Sequence, residues 1–141
     1  MIDAHKRLAR LRRLEKVRDI ARQTAAAEAA QAEGTLAQLQ ALTERTRRLA
    51  EDYATRRTAT DGAALHQIGR FVSGLQTLSR TTQGDAERAH AIADAKQRHL
   101  AEAERRRAAI EERAALQERM IAKQAATPVL SARRAAGTEL E

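Results

Sequence analysis

Apolar residues recur along this chain at steps of three and four. The clearest run is Ile68, Phe71, Leu75 and Leu78, and weaker repeats fill most of the remainder. That period puts the apolar positions on one face of an α-helix. From Asp3 to about Thr58 only Gly34 interrupts, at a cost of about 1 kcal/mol relative to Ala. The stretch RRTATDGAAL then gathers Thr58, Thr60, Asp61 and Gly62, whose local hydrogen bonding or backbone freedom favours leaving a helix. Helical spacing resumes by Leu65 and continues to about Gln124, and Pro128 is expected to end it. The pattern predicts an all-α fold: a long antiparallel two-helix coiled-coil hairpin over 1–126, with helices at about 3–58 and 65–126 and a short turn at about 59–64, near Gly62. Residues 127–141 are expected to form a flexible C-terminal tail.

Folding the chain at Gly62 predicts a register. Leu8 comes level with Leu116, Ala32 with Ile92, Leu49 with Leu75, and Tyr53 with Phe71. Glu28 comes level with Lys96, an expected ion pair. In heptad terms, the first helix is expected to place Ala32, Leu39, Thr46 and Tyr53 on one seam line and Leu14, Ala21, Leu42 and Leu49 on the other. The second helix is expected to use Ile68, Leu75 and Ile110 with Phe71, Leu78 and Ile92. Leu8, Val17, Leu36, Leu100, Leu116 and Ile121 fall off these lines, and His99 falls on the seam.

Composition reinforces the helical reading. The chain has 33 Ala against 14 Leu, 6 Ile, 3 Val and 1 Phe. There is little bulk for a globular core but an abundance of good helix formers. Without cysteine there is no disulfide frame or thiolate metal site. No run of 18 apolar residues is present, and the start MIDAHKRLARLRRLEK has no signal-peptide core, so a cytoplasmic location is expected.

Charge is uneven. Residues 1–22 carry eight Lys/Arg and three Asp/Glu, residues 23–97 nine of each, and residues 98–141 nine and seven. The basic excess lies towards the two termini. RLARLRR and AERRRAAIEER could track phosphates, but no aromatic side chain interleaves with them for base stacking, and acids are interspersed, so nucleic acid is not the expected partner. No HExxH, CxxC or glycine-rich phosphate loop is present, and the four histidines lack metal-binding spacing. The chain is expected to be neither an enzyme nor a carrier of cofactor, metal or small-molecule substrate.

The stretch TLAQLQALTERTRRLAEDY, a polar turn, and RFVSGLQTL together read L-x-x-L…L-x-x-x-Y, turn, F-x-x-x-L-x-x-L. Over about residues 5–125 this resembles the bacterial flagellar FliJ family and its sister, the YscO-type proteins of virulence secretion. The resemblance implies a non-catalytic component of the type III protein export apparatus. Such a protein is an antiparallel coiled coil that links the hexameric export ATPase (FliI-like) to the cytoplasmic domain of the export gate (FlhA-like) and handles export chaperones. It is a monomer when free and is peripherally associated with the inner membrane through that apparatus. The family's gate patch carries over to Leu42, Thr46, Leu49 and Tyr53, and to Phe71, Leu75, Leu78 and Thr82, with Val72 as an additional surface candidate beside Phe71. The ATPase-facing basic end carries over to Lys6, Arg7, Arg10, Arg12 and Arg13, and to Arg105, Arg106 and Arg107. Most of the gate candidates are also seam positions, so helix-on-helix packing competes with docking for them. Two other roles fit the composition: a structural coiled coil that self-associates through its Ala-rich face, and a basic helical nucleic-acid binder.

Overall fold

The computed structural model describes the backbone of residues 2–55 and 62–138, with side chains through Thr127. It is entirely helical. α1 spans Ile2–Thr55 and α2 spans Gly62–Thr138, and the two pack against each other antiparallel. Residues 56–61, which hold the end of the expected first helix and most of the expected turn, lie outside the described residues. α2 already begins at Gly62, so positions 62–64 are helix rather than turn. Its end also differs from expectation, because α2 runs through Pro128 to Thr138. Proline removes one backbone hydrogen bond at a cost of about 3 kcal/mol. Ala125, Ala126, Leu130, Ala132, Arg133 and Arg134 on either side are strong helix formers.

The contacts divide the chain into a turn unit, residues 26–99, and a terminal unit, residues 1–25 with 100–141. In the turn unit, Lys96 Nζ donates to Glu28 Oε2 at 3.1 Å, the ion pair expected from the register. Tyr53 and Phe71 also meet as expected, edge to face, with ring centroids 4.9 Å apart and planes at 73°.

The seam of the turn unit follows an unbroken three-four repeat. On α1 the repeat consists of Ala29, Ala32, Leu36, Leu39, Thr43, Thr46, Ala50 and Tyr53, all of them covered. On α2 they run from Ile68 through Val72, Leu75, Ser79, Thr82, Ala86, Ala89 and Ala93 to Lys96. One expected line is therefore present on each helix: Ala32, Leu39, Thr46 and Tyr53 on α1, and Ile68 and Leu75 on α2. The other is displaced by one residue. Leu42, Leu49, Phe71, Leu78 and Ile92 are exposed, and Thr43, Ala50, Val72, Ser79 and Ala93 occupy the seam in their place. The reason is size. Ala, Ser and Thr allow closer backbone approach than Leu or Phe. Leu36, Ala89 and Ala93 form the buried cluster, with Ala32 and Leu39 packed on it. The buried threonines carry no hydrogen-bond debt: Thr46 Oγ1 donates to Leu42 O at 2.7 Å, and Thr82 Oγ1 to Leu78 O at 3.0 Å.

In the terminal unit, Ala25, Ile110, Ala114 and Gln117 are buried. Leu8, Leu100 and Ile121, expected off the seam, are partly covered on it, whereas Val17 and Leu116 are exposed. Gln117 Nε2 donates to Ala4 O at 3.3 Å, and Arg12 reaches Glu118 at 2.7 Å. The seam also contains arginine. Arg22 Nε donates to Asp19 Oδ1 at 3.1 Å, and Arg107 Nε lies 3.2 Å from the same oxygen but is too poorly aligned for a hydrogen bond. Arg18 Nε is buried with no partner. An orphaned donor of this kind costs about 1–3 kcal/mol.

Two measurements test this packing. Ala93→Leu should overpack the seam and lower stability by about 1–3 kcal/mol, whereas Leu42→Ala should change it by no more than about 0.5 kcal/mol, in urea unfolding of dilute protein followed by circular dichroism. The reverse order would restore the Leu42–Leu49 seam. Arg18→Leu removes the unpaired seam cation and should raise the thermal midpoint; a lower midpoint would mean that Arg18 is satisfied in solution.

Candidate functional site

Two surfaces collect the residues singled out in the sequence. The first is in the turn unit. Thr46 and Thr82 are buried in the seam, and Tyr53, Val72 and Leu75 are half-buried there. Val72 is therefore a packing residue and not the surface candidate expected; the exposed neighbour is Phe71. Four of the nine candidates project: Leu42 (41% exposed), Leu49 (39%), Phe71 (47%) and Leu78 (47%).

These four share one face. On α1, Glu28, Thr35, Leu42 and Leu49 are seven apart, and on α2 so are Phe71, Leu78, Asp85 and Ile92. A single furrow is lined by Glu28, Gln31, Ala32 and Thr35 of α1 and by Ala89, Ile92 and Lys96 of α2. The two lines therefore flank the same groove, and Phe71 against Tyr53 places the other end of the α2 line on that side. Leu42, Leu49, Phe71 and Leu78 form a continuous apolar ridge over about three helical turns. Such a ridge on a partly polar surface is the usual form of a protein-docking site. Ile92 extends the same line and was missed as a surface residue, because a large aliphatic is read as core. A signal was available: the bulky lines decay to Glu28 and Thr35 on α1 and to Asp85 and His99 on α2, whereas the small-residue lines stay uncharged through the turn unit.

The second surface is the basic end of the terminal unit. Among the described residues, Lys6, Arg7, Arg10, Arg13 and Arg105 are exposed and make no ion pair. Three of the expected eight are tied down. Arg12 bridges Glu15 at 3.1 Å and Glu118 at 2.7 Å, which raises its pKa, chiefly through the hydrogen bond to Glu15. Arg106 pairs with Glu102, and Arg107 lies beside Asp19. The free cations can attract an acidic surface at range, and salt would screen that attraction.

A third feature was not anticipated. On α1, Glu44 accepts from Arg47 at 2.7 Å and from Arg48 at 3.0 Å, and Arg47 also reaches Glu51 at 2.6 Å. The hydrogen bond from Arg47, followed by that from Arg48, holds the Glu44 carboxyl below the usual carboxylate range.

His99 is exposed rather than in the seam, and His90 Nδ1 lies 3.4 Å from Asp94. Among the described residues, no group of three His, Asp or Glu converges as a metal centre, and no helix is long and apolar enough to cross a membrane. The concavities of the turn unit are open furrows along the helices. Compared with known proteins, the chain matches no family model, no curated protein and no solved structure.

The Glu44 cluster carries a pH prediction. A carboxyl whose folded pKa is depressed contributes stability above its unfolded pKa, and that contribution is lost as pH falls through the folded value. The Glu44 side-chain carbon should titrate below the ordinary glutamate range by NMR, and Glu44→Gln should flatten the acid limb of helicity between the two values. A normal midpoint would show the network open in solution.

Proposed function

We propose that this chain is a non-catalytic, FliJ-like component of a type III protein export apparatus. In this reading the turn unit docks on the cytoplasmic domain of an export gate, and the basic end of the terminal unit engages a hexameric export ATPase. Export chaperones are further clients, and the protein works in the cytoplasm, peripheral to the inner membrane. The observation that carries the reading is the apolar ridge. It lies within the stretches that resemble the FliJ family, and its members Leu42, Leu49, Phe71 and Leu78 are left uncovered by the chain's own packing. The unpaired Lys6, Arg7, Arg10, Arg13 and Arg105 support the second contact, as an acidic ring would attract them.

The competing role as a coil that self-associates through its Ala-rich face is weakened by packing. Ala25 and Ala29 of that stretch, and Ala89, Ala93 and Ala114 of α2, are already buried.

A pull-down against purified gate domain and export ATPase separates the two contacts. Phe71→Ala should abolish gate capture while helicity and ATPase capture persist. The combined Arg7→Ala, Arg10→Ala and Arg13→Ala variant should do the reverse, and wild-type ATPase capture should weaken in salt. Retained gate binding by a fully helical Phe71→Ala chain would refute the turn-unit assignment.

A further inference from the structure

The ridge has a shape as well as a hydrophobicity. Gly74 lies between Phe71 and Leu78 on the exposed side of α2, and a side chain built there would meet nothing within 4 Å. Phe71, Gly74, Leu75 and Leu78 are spaced i, i+3, i+4 and i+7, the four corners of a hole that receives one knob in helix packing. One of the two inner corners is a glycine, so no side chain narrows the hole there. Leu42, Arg45, Thr46 and Leu49 form the corresponding quartet on α1. Within one chain, Leu49 is level with the first quartet and Leu78 with the second, as the Tyr53–Phe71 contact fixes.

We propose that the ridge is self-complementary and that a second copy of this chain docks on it, so that the free chain is a weak dimer and not the monomer that the resemblance implies. A two-fold axis parallel to the helices stacks α1 of one copy antiparallel on α2 of the other at equal levels. Leu49 then enters the hole beside Gly74 of the second copy, and Leu78 enters the hole between Leu42 and Leu49 of the second copy. The symmetry makes each contact twice.

Charge favours this occupant. The chain is +7 overall, yet residues 42–53 carry three arginines and three acids, and residues 71–85 carry one of each. The two stretches that carry the ridge are each neutral, so two copies bring no net like charge together there, while a strongly acidic partner finds its match at the termini instead. Four large side chains per copy over about three turns make a small interface, so the dimer is weak and exchangeable. Its regulatory consequence rests on the function proposed above: the dimer and the gate complex use the same ridge and exclude each other, so self-association masks the ridge in the free protein.

Sedimentation of the full chain at about 0.1 mM should give twice the 15.6 kDa of one chain, dissociating on dilution. Gly74→Arg fills the hole with a good helix former and should raise the dimer Kd at least about tenfold without loss of helicity. The chain has no cysteine, so single-cysteine variants report geometry. A mixture of Leu49→Cys and Gly74→Cys chains should cross-link between copies on oxidation, far more than either alone. A single-chain mass at that concentration, or a dimer unaffected by Gly74→Arg, would overturn the proposal; the first leaves the ridge to a different protein. Neither experiment uses an export component, so a failure here leaves the gate reading standing. Conversely, a dimer whose Phe71→Ala variant still captures the gate removes only the gate reading.

Discussion

The structure depends on how closely two helices can approach. Alanine, serine and threonine at Ala29, Thr46, Ala50, Ser79, Thr82, Ala86 and Ala93 bring α1 and α2 together in the turn unit, and little large apolar surface is buried there. Each alanine contributes less burial than a leucine would. What the seam gains is proximity, with many small dispersion contacts along a long line. What it gives up is close to half of the large apolar side chains among the described residues, which are left on the outside. The exposed ridge is thus a consequence of the seam: where Thr43, Ala50, Val72 and Ser79 take the inner position, Leu42, Leu49, Phe71 and Leu78 beside them are left outside.

Much of this was legible in the sequence. The clustered turn formers around Gly62 and the scarcity of proline announced two helices, and the equal spacing of Tyr53 and Phe71 from Gly62 predicted their contact. Glu28 and Lys96 followed from the same register. Only half the seam was legible, because hydrophobicity alone ranks Leu42 and Phe71 above Thr43 and Val72, and adjacent residues in a helix differ by just 100° in direction. The line that wins is set by a steric property of the pair of helices, which no single-helix pattern records. Pro128 misled for a similar reason: it is a strong local signal, outweighed here by good helix formers on both sides.

The candidate surfaces were legible unevenly. The basic termini stood out as charge runs, but sequence could not say that Arg12, Arg106 and Arg107 spend their charge on Glu15, Glu102, Glu118 and Asp19. Those pairings leave a smaller set of free cations. Of the residues singled out near the turn, Leu42, Leu49, Phe71 and Leu78 are exposed, whereas Thr46, Thr82 and Val72 face inward.

The threonines of the turn unit have one more consequence. Thr43, Thr46 and Thr82 donate to carbonyls of their own helices. Their hydroxyls therefore give neither helix a preferred axial position against the other. Small, repeating side chains offer few steric teeth either. Axial alignment falls to the Glu28–Lys96 bridge and the Tyr53–Phe71 ring pair, set at opposite ends of the unit like two pins in a slide. Sliding by one heptad would break both and take Leu36 and Leu39 out of step with Ala89 and Ala93, yet it would leave every hydroxyl bond intact.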